Sequence, residues 1–312
     1  MTEPVHEPVP RIAHTMATRA LGWLYRNREH GRFPADTTAD LVDPDSTYKP
    51  LGETALAASL LLREGFASPT EQQLARELLD FCWAQLGGGD LLYERQLRFP
   101  VMTDPLEVYA PLARAGYRHE PLHELLAHLH GLTSQRGTEH MPNRRLAVAN
   151  GARVAGLGDD ADWPALINAT WLGHTPEPWA IDWMTAYCLT HTVYHATDWA
   201  ARPHDLPAPL RDYLETWLPV WLDIWCEIED WDLVIELLIV DACLPHPRSD
   251  PAIWRLLAAT QHADGLMPRS GEPVQQDPET AFRAHHHTTV VATIAGALAV
   301  SRHPGLPAET QR

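Results

Sequence analysis

The chain has 312 residues, 45% hydrophobic and 21% charged, a balance that excludes a disordered chain and suits one large globular domain or two smaller ones. Lys and Arg number 24 against 41 Asp and Glu, so the formal net charge is −17. This charge repels phosphate backbones and anionic lipid, which argues against nucleic-acid and membrane partners. We expect a small-molecule partner that is neutral or cationic.

Location and redox state follow from what the sequence lacks. The opening residues, MTEPVHEPVP, have no basic and apolar segments of a secretion signal, and no apolar run reaches the roughly 20 residues of a membrane span, so a cytoplasmic location is expected. The cysteines lie far apart without a CxxC pair, which predicts buried thiols rather than disulfides or a cysteine zinc site. They are Cys82, Cys188, Cys226 and Cys243.

Clusters of Gly and Pro separate segments rich in Ala and Leu, with apolar residues three and four apart and few alternating β-branched runs. This pattern predicts an all-α chain. In chain order, a longer amphipathic segment alternates with a more apolar one, which gives six pairs. The first members are 14–27, 70–86, 121–131, 162–172, 209–228 and 250–261. The second members are 50–63, 104–115, 143–157, 182–199, 230–244 and 286–301.

The spacing of the second members resembles that of helical-hairpin repeats, and six pairs are enough to close a ring. Inner helices of a ring touch other helices on most sides, so they should carry little charge. Glu53 is the single charged residue of the segment 51–62, and the segment 288–301 has no charged residue. We therefore predict an (α/α)6-like toroid of paired outer and inner helices around a central cavity.

The predicted domain extends over residues 11–303, with disordered tails at 1–10 and 304–312. Two other arrangements fit the same pattern: an open superhelix of helical hairpins, and two helical domains divided near residues 173–178.

The segment 182–199 carries one aromatic and ionisable stripe, which occupies an arc of about 100° on a helix. Its members are Met184, Tyr187, His191, Tyr194, His195 and Asp198. His191 and His195, four residues apart, can hold one divalent metal, Zn, Fe or Mn, with Asp198 as a third ligand. An acid/base role or a hydrogen-bonded polar core explains the stripe equally well, and 18 histidines make chance pairs frequent.

The segment that opens with Glu229-Asp230-Trp231-Asp232 places Asp232 and Glu236 on one face. Acids at the start of a helix can simply complement its dipole. Glu236, however, lies among apolar residues, where burial raises the pKa of a carboxyl unless a cation, metal or donor lies opposite.

The last pair opens with three histidines, residues 285–287. Val290 and Ile294 are expected to face outer helices, which directs His286 towards the cavity. There His286 can act as a metal ligand, an anion donor or an acid/base group. Capping of exposed backbone groups is the alternative.

Two further acids are catalytic candidates. Glu53 lies in a segment without another charge, although Lys49, four residues before it, suits a simple ion pair. Glu107 lies in the first turn of the segment that begins at Asp104.

Tryptophan is abundant, with 12 residues. The repeat of Trp217, Trp221 and Trp225 at steps of four predicts a helix-packing stripe. Other aromatics lie on the second members or where loops join them, and an aromatic face there can contact an apolar or cationic substrate. The substrate-contact candidates are Tyr187, Tyr194, Trp179, Trp183 and Trp231.

The sequence has no GxGxxG after a strand, no GxxxxGK[ST], no GxSxG and no HExxH. Nucleotide cofactors and standard serine hydrolysis are therefore not expected.

The helix pairs, the turn Gln261-His262-Ala263-Asp264-Gly265 and the lead His287-Thr288-Thr289 resemble the α/α toroids of terpene cyclases and protein prenyltransferases. That resemblance implies chemistry inside the ring. It also matches Asp230-Trp231-Asp232 to the DxDD motif of class II cyclases, which casts Asp232 as the acid, with Leu233 at the fourth position. The stretches 49–53 and 189–193 resemble an uncharacterised bacterial family.

Together these features predict an intracellular enzyme of specialised metabolism that uses acid/base or metal-assisted chemistry on a small, partly apolar substrate. Cyclisation, elimination and isomerisation all fit. The catalytic candidates are Asp232, Glu236, His191, His286, Glu53 and Glu107. Two other classes stay open: a non-catalytic binding or scaffold protein, and a glycan-acting toroid enzyme with two carboxylates beside tryptophans.

Overall fold

The computed structural model describes residues 7–40, 44–65 and 67–303, and within these the backbone alone for residues 44–47. The described residues form helices and no β-strand, which confirms the all-α prediction. In chain order the α-helices are α1 (Val9–Asn27), α2 (Pro44–Glu64), α3 (Pro69–Gln85), α4 (Asp90–Arg98), α5 (Asp104–Arg114), α6 (Glu120–His130), α7 (Thr133–Arg136), α8 (Pro142–Ala155), α9 (Trp163–Asn168), α10 (Trp183–Thr197), α11 (Ala208–Glu227), α12 (Trp231–Cys243), α13 (Pro251–Thr260) and α14 (Pro278–Ser301).

Every predicted segment overlaps one of these helices, whereas α4 and α7 were not predicted. Helix α2 begins at Pro44 rather than at Pro50, so this proline lies inside the helix. Helix α14 begins at Pro278, eight residues before the predicted start. The reason is an N-cap that the prediction overlooked, because the side chain of Asp277 accepts a hydrogen bond from the backbone N–H of Thr280.

The six helices that match the predicted second members pack in a cyclic order. Helix α2 packs against α5, α5 against α8, α8 against α10, α10 against α12, α12 against α14, and α14 against α2. Helices α1, α3 and α11 pack on α14, α2 and α12 respectively. This order is the one expected of paired helices around a ring, while the central cavity stays a prediction.

Helix α1 approaches α14 closely because Gly296 has no side chain. A Cβ at this position would lie 2.5 Å from the carbonyl oxygen of Ala13 and 2.7 Å from the Cβ of Ala17. Contacts at these distances are repulsive, so the two backbones can pack at this spacing only with glycine here.

The turn after α13 also joins the C-terminal part of the chain to α1. The side-chain amide of Gln261 donates to the carbonyl of Met16 at 3.1 Å and to that of Gly265 at 3.0 Å. Gly265 has a φ of +99°, and a Cβ there would lie 2.0 Å from the carbonyl oxygen of Arg19. The motif singled out in the sequence is therefore a structural joint between α13 and α1.

The predicted tails lie largely outside the described residues, which exclude 1–6 and 304–312. Helix α1 begins at Val9, inside the predicted N-terminal tail. Within the described part of the chain, no helix combines the length and the apolar character needed to span a bilayer.

Candidate active site: a carboxylate–histidine cluster

Four helices of the cyclic order, α2, α10, α12 and α14, bring ionisable side chains together. We call this group the carboxylate–histidine cluster, and its members are Glu53, His191, Asp232, Glu236 and His287. The start of two of these helices is fixed by aspartate N-caps, because Asp182 accepts from the N–H of Thr185 and Asp230 from that of Leu233.

His287 lies at the centre of the cluster. Its Nδ1 is 2.8 Å from Oε1 of Glu53, and its Nε2 is 3.3 Å from Oε1 of Glu236 and 3.8 Å from Oδ2 of Asp232. Lys49 adds a positive charge at the edge, with Nζ 3.7 Å from Oε1 of Glu53. Three carboxylates thus surround one imidazole.

Hydroxyl groups fix the two acids of α12. Thr288 donates to Oδ1 of Asp232, and Tyr187 donates to Oδ2, both at 2.5 Å. Thr190 donates to Oε2 of Glu236 at 2.5 Å. Because the side chains of Asp232 and Glu236 are only 3% and 1% exposed, these hydroxyls replace the water that the carboxylates lose on burial.

Neighbouring charges and hydrogen bonds outweigh burial in setting the pKa values of His287, Glu53 and Glu236. Burial alone would lower the pKa of His287, but the charges of Glu53 and Asp232 and hydrogen bonds to Glu236 and Glu53 raise it well above its ordinary value. Burial alone would raise the pKa of Glu53, yet the charge of His287 and hydrogen bonds from His286 and His287 hold it below the usual range. For Glu236 too, burial is outweighed by the hydrogen bond and charge of His287 and the charge of His191, and its pKa is lowered.

The cluster remains accessible from one side. The side chains of His191 and His287 are 43% and 30% exposed. Beyond them, Trp183 and Met184 at the start of α10 are 59% and 57% exposed. The ring of Tyr187 lies edge-on to the rings of Trp183 and His191, with centroid distances of 6.4 Å and 6.5 Å. These three rings form a continuous row from the exposed Trp183 to the carboxylates.

One group of potential metal ligands occurs among the described residues. One ligand atom from each of Asp232, Glu236 and His287 lies within 4.8 Å of the others. Carboxylate and imidazole groups are ligand types that bind divalent ions in proteins.

The structure does not bring together the metal ligands predicted on α10. The carboxylate of Asp198 accepts from Arg114, and its Oδ2 lies 3.7 Å from Nη1 of Arg63. The ring centroids of His195 and His191 are 6.2 Å apart. Burial, together with the positive charges of His191 and two arginines, lowers the pKa of His195 to about 3. Asp198 belongs instead to an arginine network at the C-terminal end of α10.

Two other catalytic candidates are not members of the cluster. His286 is buried, and its Nε2 is 2.9 Å from Oγ1 of Thr54. Its Nδ1 is 3.6 Å from Oε2 of Glu53, whereas His287 forms its hydrogen bond with the other carboxylate oxygen, Oε1. Glu107 forms an ion pair with Arg144, with Oε2 2.6 Å from Nη1.

The aromatic candidates separate by exposure. Trp179 and Trp183 are 79% and 59% exposed, so a substrate can reach their rings, whereas Trp231 is buried. Tyr194 is also buried, donates to the backbone carbonyl of Glu236 at 2.7 Å and stacks on a tryptophan. Tyr187 reaches the cluster itself. As predicted, Trp221 and Trp225 are buried and Trp217 is partly buried against the core.

The sequence did not single out Thr190 or Thr288, and it favoured His286 over its neighbour His287. Helix α14 is buried on all sides from Thr288 to Val300, so its apolar pattern does not indicate which face meets α12. The run of three histidines, residues 285–287, was the available signal. Adjacent residues of a helix point in directions about 100° apart, so the three side chains together cover most directions around the helix.

Fold and site define an all-α protein with an accessible carboxylate–histidine cluster on four packed helices. Residues 17–297 match the family model described as a domain of unknown function, DUF6895, so the chain belongs to this family. Membership in an uncharacterised family is confirmed, while likeness to terpene cyclases and prenyltransferases stays a prediction. Comparison with curated proteins and with solved structures gives no match.

Proposed function

We propose that this chain is a cytoplasmic enzyme of specialised metabolism that transforms a small, partly apolar substrate at the carboxylate–histidine cluster. The reaction moves a proton in a cyclisation, an elimination or an isomerisation. The main support for this proposal is that three carboxylates contact His287, next to the exposed ring of His191. Ionisable groups with displaced pKa values in an accessible position are typical of catalytic sites.

We also infer that α2, α5, α8, α10, α12 and α14 form the inner ring of an (α/α)6-like toroid. Their cyclic packing supports this arrangement. It also explains why one site draws residues from segments that are far apart in sequence, since inner helices meet around a common axis.

His191 is the best placed group for proton transfer. Its Nδ1 lies 2.8 Å from the carbonyl oxygen of Tyr187, and because a carbonyl only accepts, Nδ1 carries the hydrogen. Nε2 is therefore the nitrogen through which His191 can exchange a proton with a substrate. With the side chain 43% exposed, a bound substrate can exchange a proton with His191.

The cluster supplies the electrostatics. Three carboxylates face one imidazole and Lys49, so a positive charge is favoured there, either brought by the substrate or developing during reaction. Trp183 and Met184 provide apolar and aromatic contacts for the rest of the substrate.

Solvent deuterium gives a test that does not require a known substrate. The purified chain is incubated in D2O with a low-molecular-weight cell extract, and mass spectrometry identifies compounds that gain deuterium or lose a neutral fragment. Wild-type protein should change at least one compound, and His191→Gln should slow this by about 100-fold or more. His128→Gln is the matched control, because His128 is exposed on α6.

Equal rates for wild type and His191→Gln, with the same melting temperature, would refute the assignment of His191. A compound that is bound but never altered would instead support a binding protein.

A further inference from the structure

We propose that Asp232, Glu236 and Nε2 of His287 together bind one divalent metal ion. The inference deepens the proposed function, on which it rests for the role of the ion in catalysis. The family description assigns no metal, and Asp198, one of the ligands predicted on α10, accepts from Arg114 instead.

The spacing of the ligand atoms is the first argument. One ligand atom from each residue lies within 4.8 Å of the others, and Nε2 of His287 is 3.3 Å from Oε1 of Glu236 and 3.8 Å from Oδ2 of Asp232. Two ligands at about 2.0–2.2 Å from one ion are at most about 4.4 Å apart, so both of these pairs fit one ion.

The orientation of His287 is the second argument. Its Nδ1 lies 2.8 Å from a carboxylate oxygen of Glu53, and an ionised carboxylate only accepts, so Nδ1 donates. The other nitrogen, Nε2, then faces Asp232 and Glu236. A carboxylate that holds the far N–H of an imidazole is the usual support of a metal-binding histidine.

The hydroxyls on the two acids are the third argument. Thr288 and Tyr187 hold Asp232, and Thr190 holds Glu236, each at 2.5 Å. Such hydrogen bonds orient ligand carboxylates and are part of the construction of metal sites. A divalent ion also compensates the buried negative charge of Asp232 and Glu236, because Lys49 pairs with Glu53 at the edge of the cluster.

The ligand set indicates the kind of metal and its use. One imidazole with two carboxylates favours Zn, Mn or Fe over Mg. Three protein ligands leave positions open for water or a substrate oxygen, which the ion can polarise. His191, outside the ligand set, keeps its proposed role in proton transfer.

The experiment uses full-length protein without a histidine tag, freed of metal with EDTA and titrated calorimetrically with Zn²⁺ and Mn²⁺. We expect one ion per chain. His287→Gln and Glu236→Gln should weaken binding by about 100-fold or more, and Glu53→Gln by about 10- to 100-fold. Glu124→Gln, an exposed acid on α6, should bind as wild type.

Circular dichroism establishes that each variant is folded, and Glu53→Gln tests the site without removing a ligand. Absence of stoichiometric Zn²⁺ and Mn²⁺ binding overturns the proposal, and so does binding that His287→Gln and Glu236→Gln leave unchanged. Failure of the proposed function looks different, because His191→Gln would then bind metal and still match wild type in the deuterium assay.

Discussion

Nδ1 of His287 lies 2.8 Å from Oε1 of Glu53, although the two residues are 234 positions apart in the chain. The contact joins α14 to α2, the last and first helices of the cyclic packing order. It therefore both orients the central imidazole of the cluster and joins the first and last helices of the cyclic order.

A double-mutant cycle measures this contact. With EDTA present, Glu53→Gln and His287→Gln should each destabilise the fold, and the double variant should lose less than the sum. We expect a coupling free energy of about 1.5–3 kcal/mol, the range of hydrogen bonds to charged groups. The measurement is urea unfolding followed by circular dichroism. Simple additivity of the two losses would contradict the prediction.

Asp198→Asn separates the arginine network from the cluster. Asn keeps the size of the side chain and tolerates the left-handed backbone, with φ of 45° at this position. Loss of the charge that Arg114 and Arg63 share should lower the free energy of unfolding by about 1.5–3 kcal/mol. Metal content should not change. A loss of metal in this variant would restore the ligand set predicted on α10.

Gly296→Ala tests the close packing of α1 on α14. The added methyl group would meet the Ala13 carbonyl oxygen at 2.5 Å, so we expect a loss of about 1–3 kcal/mol in the free energy of unfolding. The control is Gly22→Ala, where a Cβ meets the flexible end of Arg26 at 3.1 Å. That change should be neutral or stabilise by up to about 1 kcal/mol. Equal effects of the two substitutions in thermal unfolding would rule out the close contact.

The cysteines should differ in reactivity. Burial raises the pKa of Cys82 and of Cys243 to about 12, and neither side chain is exposed. Cys188 and Cys226 are partly exposed, and burial with nearby acids raises the pKa of Cys226 to about 11. Iodoacetamide should therefore modify Cys188 and Cys226 slowly in the native protein, and the other two only after unfolding. Mass spectrometry of peptides reports each site, and native labelling of Cys82 at the rate of Cys226 would disprove the order.

Glu71 provides a pH-dependent test away from the cluster. Burial alone would raise its pKa, but hydrogen bonds from Thr18 and Ser68 and the charge of His14 lower it. A folded-state pKa below the unfolded value of about 4.3 means that the stabilisation is present above that pH and is lost as pH falls through the folded value. Glu71→Gln should therefore cost about 1 kcal/mol near neutral pH and less in acid.

Urea unfolding at several pH values checks this, with the exposed Glu124→Gln as control. A loss that stays constant as the pH falls would exclude the linkage.

The cluster shows how far sequence patterns reach. Glu236 was identified because a carboxyl among apolar residues needs a partner, and the structure supplies Thr190 and His287. Asp198 was grouped with His191 because both fall on one stripe of α10. Helical periodicity shows which residues share one side of a helix, but not which neighbouring residues each of them contacts. Asp198, about one turn after His195, contacts Arg114 instead of the cluster.

The sequence by itself determined that the chain is helical and where twelve of the helices among its described residues lie, but not α4 and α7, since helices depend on local periodicity, caps and the positions of Gly and Pro. It also determined that Asp232 and Glu236 share a face, because four residues make about one turn. Only the tertiary structure decided that His287, rather than His286, meets them and that Glu53 holds its other nitrogen. Helix α14 is apolar on every side beyond this point, so its rotation is set by packing against α1, α2 and α12, which no pattern within the helix encodes.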